Sequence, residues 1–129
     1  MPEPDPNGAE AGNLRVPPVQ EIARNGDAVV VRLAGELDLY NAPTVREALG
    51  EVVDERPERL VVDLGAVEFV DSTALGVFVE ARAKLASRGA FLLAAPGAEP
   101  RRALEVAGLD RHFSVHETVE DALAATLDR

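Results

Sequence analysis

The sequence predicts an α/β domain, in which a mixed central β-sheet of about four to five strands is opened by a hairpin and carries about four helices. Two observations predict this fold class. First, two apolar runs flank the triplet Asn25-Gly26-Asp27, and Asn-Gly between apolar runs is a strong signal for a β-hairpin. Second, short apolar runs rich in β-branched residues then alternate with segments of helical periodicity, which is typical of parallel strands joined by helices.

Each element is predicted from its own local pattern. The predicted strands span 19–24, 28–37, 60–64, 90–95 and 112–116, the last of them at a sheet edge. The first helix begins after an N-cap at Asn41, continues for about 13 residues and ends before Pro57. The later helices are predicted at 72–87, 100–107 and 118–127, the last of them opened by Thr118 as an N-cap.

The composition limits the kinds of site and partner. The formal net charge of −10 at pH 7 repels nucleic-acid phosphates and anionic lipid headgroups. The chain has no cysteine, which excludes disulfides and thiolate metal sites. We therefore expect neither nucleic acid nor a membrane among its partners.

The first residues differ from the rest of the chain. Residues 1–17 are rich in Pro, Gly, Asn and acidic residues and almost free of apolar ones. Such a segment buries too little surface to offset its chain entropy, so we predict a disordered tail at 1–17 and one folded domain at 18–129. The tail lacks the pattern of a secretory signal, and no apolar run approaches the ~20 residues of a membrane span. The expected location is the cytoplasm.

A polar triplet, Asp71-Ser72-Thr73, stands where an apolar run passes into a helical pattern. One interpretation is a helix cap, because an Asp71 carboxylate accepts from the free amides of the first turn and suits the helix dipole. The other is a phosphorylation switch at Ser72, the first helical residue. A phosphate adds about −1.5 to −2 charge, which a helix N-terminus tolerates. A partner surface fitted to a neutral hydroxyl does not tolerate it, because desolvating a dianion is costly.

The helix that follows has a broad apolar face and a second face that we predict to be exposed. At about 100° per residue, the predicted exposed face comprises Thr73, Gly76, Val77, Glu80, Lys84 and Ser87. A glycine in mid-helix costs ~1 kcal/mol relative to alanine. Gly76 therefore marks neutral drift, a close contact within the fold, or a smooth patch that a partner's backbone approaches.

Four segments, taken in order, resemble anti-sigma factor antagonists that consist of a single STAS domain. They are G-E-L-D at 35–38, V-V-D-L and V-E-F-V-D-S-T-A-L-G-V-F within 61–78, and A-L-E-V-A-G-L-D-R-H-F at 103–113. The resemblance spans residues 19–127. The family pattern usually has glycine after the Ser-Ser or Ser-Thr pair, where this chain has Ala74.

The resemblance implies a function based on partner exchange. Ser72 is implied to be the phosphoacceptor, and no cofactor of this chain is implied. The implied partner is an anti-sigma factor that is also a serine kinase with a histidine-kinase-like ATPase fold. It binds the unphosphorylated antagonist and frees the sigma factor. Phosphorylation breaks the complex, and a PP2C-type phosphatase restores it.

The resemblance also places the loop after the second strand beside the phosphorylation site. We expect the partner-binding surface to be formed by Asp38, Leu39, Tyr40, Asn41, Asp71, Thr73, Gly76 and Val77. The alternative for Asp38 is a local role, in which its carboxylate bonds nearby backbone amides.

Two other functions compete with this one. A hydrolase is disfavoured because Ser72 directly follows Asp71 and the chain has no G-x-S-x-G motif. His112, His116 and Glu120 have no metal-binding signature spacing, so we expect neither an enzyme nor a metal site. The main alternative is a STAS domain that is never phosphorylated and serves as an adaptor or scaffold in a signalling or lipid-transport complex.

Overall fold

A computed structural model of the protein describes residues 15–127. Within this range the elements follow one another as β1 (Val19–Asn25), β2 (Ala28–Leu37), α1 (Ala42–Asp54), β3 (Arg59–Val70), α2 (Ser72–Leu85), β4 (Ala90–Ala94), α3 (Ala98–Val106), β5 (Ser114–His116) and α4 (Val119–Ala124). The order and type of the elements confirm the predicted fold class.

The strands form one mixed sheet in the order β1-β2-β3-β4-β5. β1 pairs with β2 antiparallel, and every other neighbouring pair is parallel. The hairpin is confirmed, and its turn contains Gly26 at φ +63°. Only glycine adopts this left-handed conformation at no steric cost.

The third strand is much longer than predicted. It continues from Leu64 through Val70, because the second half of β2 pairs with it as far as Leu37–Val70, with two irregularities in register. β4 pairs with β3 only up to Asp63, so this second half of β3 has a partner strand on one side only. The sequence predicted a strand only at 60–64, because the continuous apolar run ends at Gly65 and several of the following residues are exposed.

Other element boundaries differ by a few residues. α2 ends at Leu85 instead of 87, because Ala86 adopts φ +50°, and a short 3-10 turn (Ala86–Arg88) follows. β5 begins at Ser114 and α4 ends at Ala124, both shorter than predicted, while α3 begins at Ala98. The predicted N-cap of α4 is confirmed, because the Thr118 hydroxyl accepts from the amide of Asp121 at 2.9 Å.

The core lies on both faces of the sheet and is mostly aliphatic. Alternate residues of β3 point to opposite faces: Leu60 and Val62 join the larger cluster with α1 and α2, whereas Val61 packs with Ala122 of α4. β3 is therefore buried on both faces in its first half. In the part of the chain that the structure describes, no helix is long and apolar enough to cross a membrane.

The predicted tail falls largely outside the described residues, since the description begins at Arg15. The last three residues of that segment lie against the domain. Val16 faces Gly35, and the side chain of Gln20 donates to the carbonyl oxygen of Pro17 at 2.8 Å. The limits 1–17 and 18–129 stay a prediction.

Candidate partner-binding site

Asp71 connects the start of α2 to the loop after β2. Its Oδ1 accepts from the amide of Ala74 at 3.0 Å, which confirms the predicted N-cap. Its Oδ2 accepts from the amide of Leu39 at 3.1 Å. Its own amide donates to the carbonyl oxygen of Leu37 at 3.0 Å. One side chain thus fixes both the helix start and the neighbouring loop.

Ser72 is the first residue of α2, and its side chain is exposed. Thr73 beside it is half-buried. Because both carboxylate oxygens of Asp71 already accept backbone amides, Asp71 has a positioning role next to the serine. The Ser72 hydroxyl is consequently held on a rigid element with access to solvent.

The loop 38–41 is closed by its own side chains. Asp38 Oδ1 accepts from the amides of Tyr40 at 3.0 Å and Asn41 at 3.3 Å, so the local role considered for Asp38 is real. In return, Asn41 Oδ1 accepts from the amide of Asp38 at 2.9 Å. These bonds form a compact turn from which the other two side chains project.

The predicted N-cap role of the Asn41 side chain is wrong. The residue stands at the cap position of α1, but its side chain makes no cap hydrogen bond and its backbone is near-helical at φ −106°, ψ 0°. Its oxygen is used by Asp38, and its Nδ2 donates to the carbonyl oxygen of Glu36 at 2.8 Å. Asn41 therefore stabilises the loop, and only its carbonyl oxygen serves the helix.

Two apolar side chains of this loop lie in water. Leu39 is 62% exposed and Tyr40 is 83% exposed. Neighbouring large apolar side chains that are exposed to water are a feature of interaction surfaces, and tyrosine is common at the centres of interfaces. The loop therefore presents two exposed apolar side chains close to the start of α2.

Val77 does not lie on this surface, which corrects the prediction. It is 1% exposed, and it packs in the main core beside Leu49 of α1. Helical periodicity places Val77 correctly in angle but cannot reveal that α1 covers that side of α2. Conversely, helical periodicity places Ala83 and Ala86 on the apolar face, but both are exposed.

We expect Val77→Ala to lower the free energy of unfolding by about 2 kcal/mol, because it removes two buried methyl groups and leaves a small cavity. Urea denaturation measures the change. Val106→Ala is the matched control, since Val106 is 80% exposed and its truncation is expected to be nearly neutral. Unchanged stability of Val77→Ala would contradict its place in the core.

Gly76 is exposed in the middle of α2. A Cβ atom built on it has no described neighbour within 4 Å. The interpretation of Gly76 as a close contact within the fold is therefore wrong. Neutral drift and a smooth contact patch are the two interpretations that stay open.

Ion pairs lie on both sides of the site. Arg15 Nη2 is 2.8 Å from Asp38 Oδ2. Burial of Asp38 acts to raise the pKa of its carboxyl, but the hydrogen bonds from Arg15 and from the amides of Asn41 and Tyr40 outweigh it and lower that pKa.

A second group of ion pairs links α1 and α2, the two helices that pack in the larger core cluster. Glu80 of α2 is 3.0 Å from Arg46 of α1 and 3.3 Å from Lys84, one turn further along α2. The hydrogen bonds from Arg46 and Lys84 lower the pKa of the Glu80 carboxyl.

Sequence reasoning missed Arg15, because it belongs to the segment predicted as a tail. One signal was present: Arg15 is the only basic residue before Arg24. The two histidines lie elsewhere, with His116 3.0 Å from the Ser114 hydroxyl and His112 3.4 Å from Arg82. Among residues 15–127, no three or more His, Asp or Glu side chains are grouped to hold a metal ion.

Comparison with known proteins identifies the family. The family model described as STAS domain matches residues 20–122. The chain is a STAS domain protein. All four segments quoted above lie within the matched range, and the five-stranded mixed sheet is a STAS fold.

Related STAS proteins include named anti-sigma factor antagonists. The anti-sigma-F factor antagonist RsfB of Mycobacterium tuberculosis is 37% identical over 102 residues, which cover 79% of this chain and 84% of RsfB. The crystal structure of an anti-sigma factor antagonist from Mycobacterium paratuberculosis superposes with a TM-score of 0.80 at 35% identity, covering 89% of this chain and all of that one. Both relatives are named as anti-sigma factor antagonists, which is a regulatory role.

A more distant STAS structure shares the fold. The anti-sigma factor antagonist SpoIIAA in its unphosphorylated form superposes with a TM-score of 0.70 at 22% identity, covering 85% of this chain and 99% of SpoIIAA. Its phosphorylated form superposes with a TM-score of 0.63 at 23% identity, covering 81% and 96%. At this level of identity, the likeness concerns the fold.

Proposed function

We propose that this STAS protein is an anti-sigma factor antagonist that is switched by phosphorylation of Ser72. In the unphosphorylated state it binds an anti-sigma factor that is also a serine kinase with a histidine-kinase-like ATPase fold, and the sigma factor is released. Phosphorylation of Ser72 breaks the complex, and a PP2C-type phosphatase resets the protein. The proposed place of action is the cytoplasm.

The observation that carries this proposal is the position of Ser72. Its hydroxyl is exposed on the first residue of α2, directly after Asp71, whose carboxylate ties the helix start to the loop 38–41. The exposed apolar side chains of Leu39 and Tyr40 belong to the same loop. A partner that contacts these two side chains therefore covers the serine as well.

The charge of a phosphate explains how the switch acts without unfolding the domain. A helix N-terminus carries free amides and a partial positive charge, so the free protein accommodates a dianion at Ser72. A partner surface that covers the hydroxyl must instead desolvate that dianion beside the carboxylate of Asp71. Desolvation and like-charge repulsion both oppose binding.

The other proposed partner-binding residues belong to the same surface around Ser72. Asp38, Asn41 and Asp71 position the loop and helix, Leu39 and Tyr40 supply apolar contact, and Thr73 and Gly76 supply the accessible side of α2. Val77 is left out because it is buried. The net charge of −10 supports a protein partner over nucleic acid.

The test is phosphopeptide and intact-mass spectrometry of the full chain after incubation with ATP and each kinase-fold anti-sigma factor of the host. We expect one added phosphate, on Ser72, from the cognate partner. Complex formation with no phosphate from any of them would favour the unphosphorylated adaptor or scaffold instead. If the protein were neither phosphorylated nor bound by any of these anti-sigma factors, the antagonist function itself would be contradicted.

The contact patch at Gly76 is testable with a matched pair of substitutions. We expect Gly76→Ala to raise the free energy of unfolding by up to about 1 kcal/mol, because alanine is the better helix former and its Cβ has room. We also expect weaker binding to the anti-sigma factor, because the added methyl group stands between two approaching backbones.

Gly50→Ala is the control for this pair. Gly50 lies in α1, and a Cβ there also meets nothing within 4 Å, so the gain in stability is expected to be similar while binding is unchanged. Thermal denaturation and titration calorimetry measure the two effects. Wild-type affinity of Gly76→Ala would show that Gly76 is neutral drift.

A further inference from the structure

Arg15 reaches the proposed partner surface from outside the sheet and its helices. Its Nη2 donates to Asp38 Oδ2 at 2.8 Å and to the carbonyl oxygen of Glu36 at 3.0 Å. Glu36 is near the end of β2, and Asp38 begins the loop 38–41. A single guanidinium therefore spans the point where the strand becomes the loop.

We propose that Arg15 is a latch that preorganises the loop 38–41 for the anti-sigma factor, which makes the segment before β1 part of the binding apparatus. The inference rests on the proposed function and adds to it a residue from a part of the chain that local pattern assigns to a tail. Arg15 is thus a positioning residue, acting through Asp38.

Asp38 is the centre of the network that the latch holds. Its Oδ1 accepts from the amides of Tyr40 and Asn41, while its Oδ2 accepts from Arg15. The carbonyl oxygen of Glu36 accepts from both Arg15 and the Asn41 side chain, at 3.0 and 2.8 Å. The loop is consequently held on one side by Arg15 and on the other by Asp71, through the amide of Leu39.

The segment that carries Arg15 is seated against β2. The amide of Ala34 donates to the carbonyl oxygen of Pro18 at 3.0 Å. Val16 lies so close to Gly35 that a Cβ there would be 2.6 Å from a Val16 methyl group, and Gly35 itself has φ +79°. A glycine is therefore required at 35 for this segment to lie where it does.

The ion pair is partly shielded from water. The side chains of Arg15 and Asp38 are 37% and 22% exposed, so the pair is screened less than a pair between fully exposed side chains. The loop it holds presents two apolar side chains to water, and ordering such a loop costs binding entropy unless it is already ordered. The latch removes part of that cost before the partner arrives.

The experiment compares Arg15→Ala with Arg24→Ala in the full chain. Arg24 also forms an ion pair, with Glu55, 2.9 Å from Nε to Oε1, away from the loop. Both variants lose one positive charge, so long-range attraction to a charged partner changes equally. Calorimetric titration with the kinase-fold anti-sigma factor is expected to show binding weaker by roughly threefold to tenfold for Arg15→Ala only.

A second readout examines the loop in the free protein. We expect faster amide hydrogen exchange at Tyr40 and Asn41 in Arg15→Ala, and a higher pKa of the Asp38 carboxyl by NMR titration. Arg24→Ala is expected to leave both at wild-type values. If Arg15 only stabilised the whole domain, Arg15→Ala would lower the melting temperature without these local changes at Asp38, Tyr40 and Asn41.

Each outcome decides the inference. Equal affinity of Arg15→Ala and Arg24→Ala overturns the latch and leaves the proposed function intact. Weaker binding with unchanged loop exchange also overturns it, since Arg15 would then contact the partner directly. If the wild-type protein binds no kinase-fold anti-sigma factor, the proposed function and the inference are both overturned. This outcome differs from the others because it is seen without any substitution.

Discussion

Replacing Ser72 with glutamate is expected to weaken binding to the anti-sigma factor by about 100-fold or more, while Ser72→Ala binds within about threefold of wild type. Glutamate brings a negative charge to an exposed position that a partner covers together with Leu39 and Tyr40. Burying an unpaired charge in an interface typically costs several kcal/mol. Phosphoserine carries more charge than glutamate, so its effect is expected to be larger still. Titration calorimetry on the three proteins measures the affinities.

Stability separates a switch from simple damage. A carboxylate in the first turn of a helix is favourable by about 0.3 to 1 kcal/mol, so Ser72→Glu is expected to unfold no more easily than wild type. Ser87→Glu is the matched control, because Ser87 is an exposed serine in the 3-10 turn beyond the other end of α2. Equal affinities of Ser72→Glu and Ser87→Glu would rule out Ser72 as the switch.

Asp71→Ala is expected to lower the free energy of unfolding by roughly 3 kcal/mol. The loss of an N-cap accounts for about 1 to 2 kcal/mol, and the loss of a charged acceptor from the amide of Leu39 accounts for most of the rest. Binding to the anti-sigma factor is expected to weaken as well, because the loop loses its link to α2. Urea denaturation and titration calorimetry measure the two losses.

A serine at the same position divides the two roles of Asp71. Serine caps helices as well as aspartate does, but its single short hydroxyl cannot also reach the amide of Leu39. Asp71→Ser is therefore expected to recover the cap energy while leaving binding weakened. Thr118→Ala removes a cap from α4 alone and is expected to cost about 1 kcal/mol with unchanged binding. Full binding by Asp71→Ser would show that the loop link is unimportant.

Local pattern predicted the elements of this protein well, because their signals lie within a few neighbouring residues. Asn-Gly marked the hairpin, and Asp71 and Thr118 marked the starts of two helices through bonds to amides three residues later. The exposed place of Ser72 follows from the same cap. The family resemblance depended on these same local segments, which is why it was visible before the fold.

Contacts between distant residues decided the rest. α1 packs on the side of α2 that carries Val77, so a residue predicted for the surface belongs to the core. The Asn41 side-chain oxygen accepts from the amide of Asp38, and its Nδ2 donates to the carbonyl oxygen of Glu36. Because that oxygen is used by Asp38, the side chain does not cap α1. Arg15 finds its partner 23 positions along the chain, in a loop that only the paired sheet brings beside it. Periodicity gives the direction of a side chain on its own helix or strand. Its burial and its ion-pair partners depend on which other elements pack against that side.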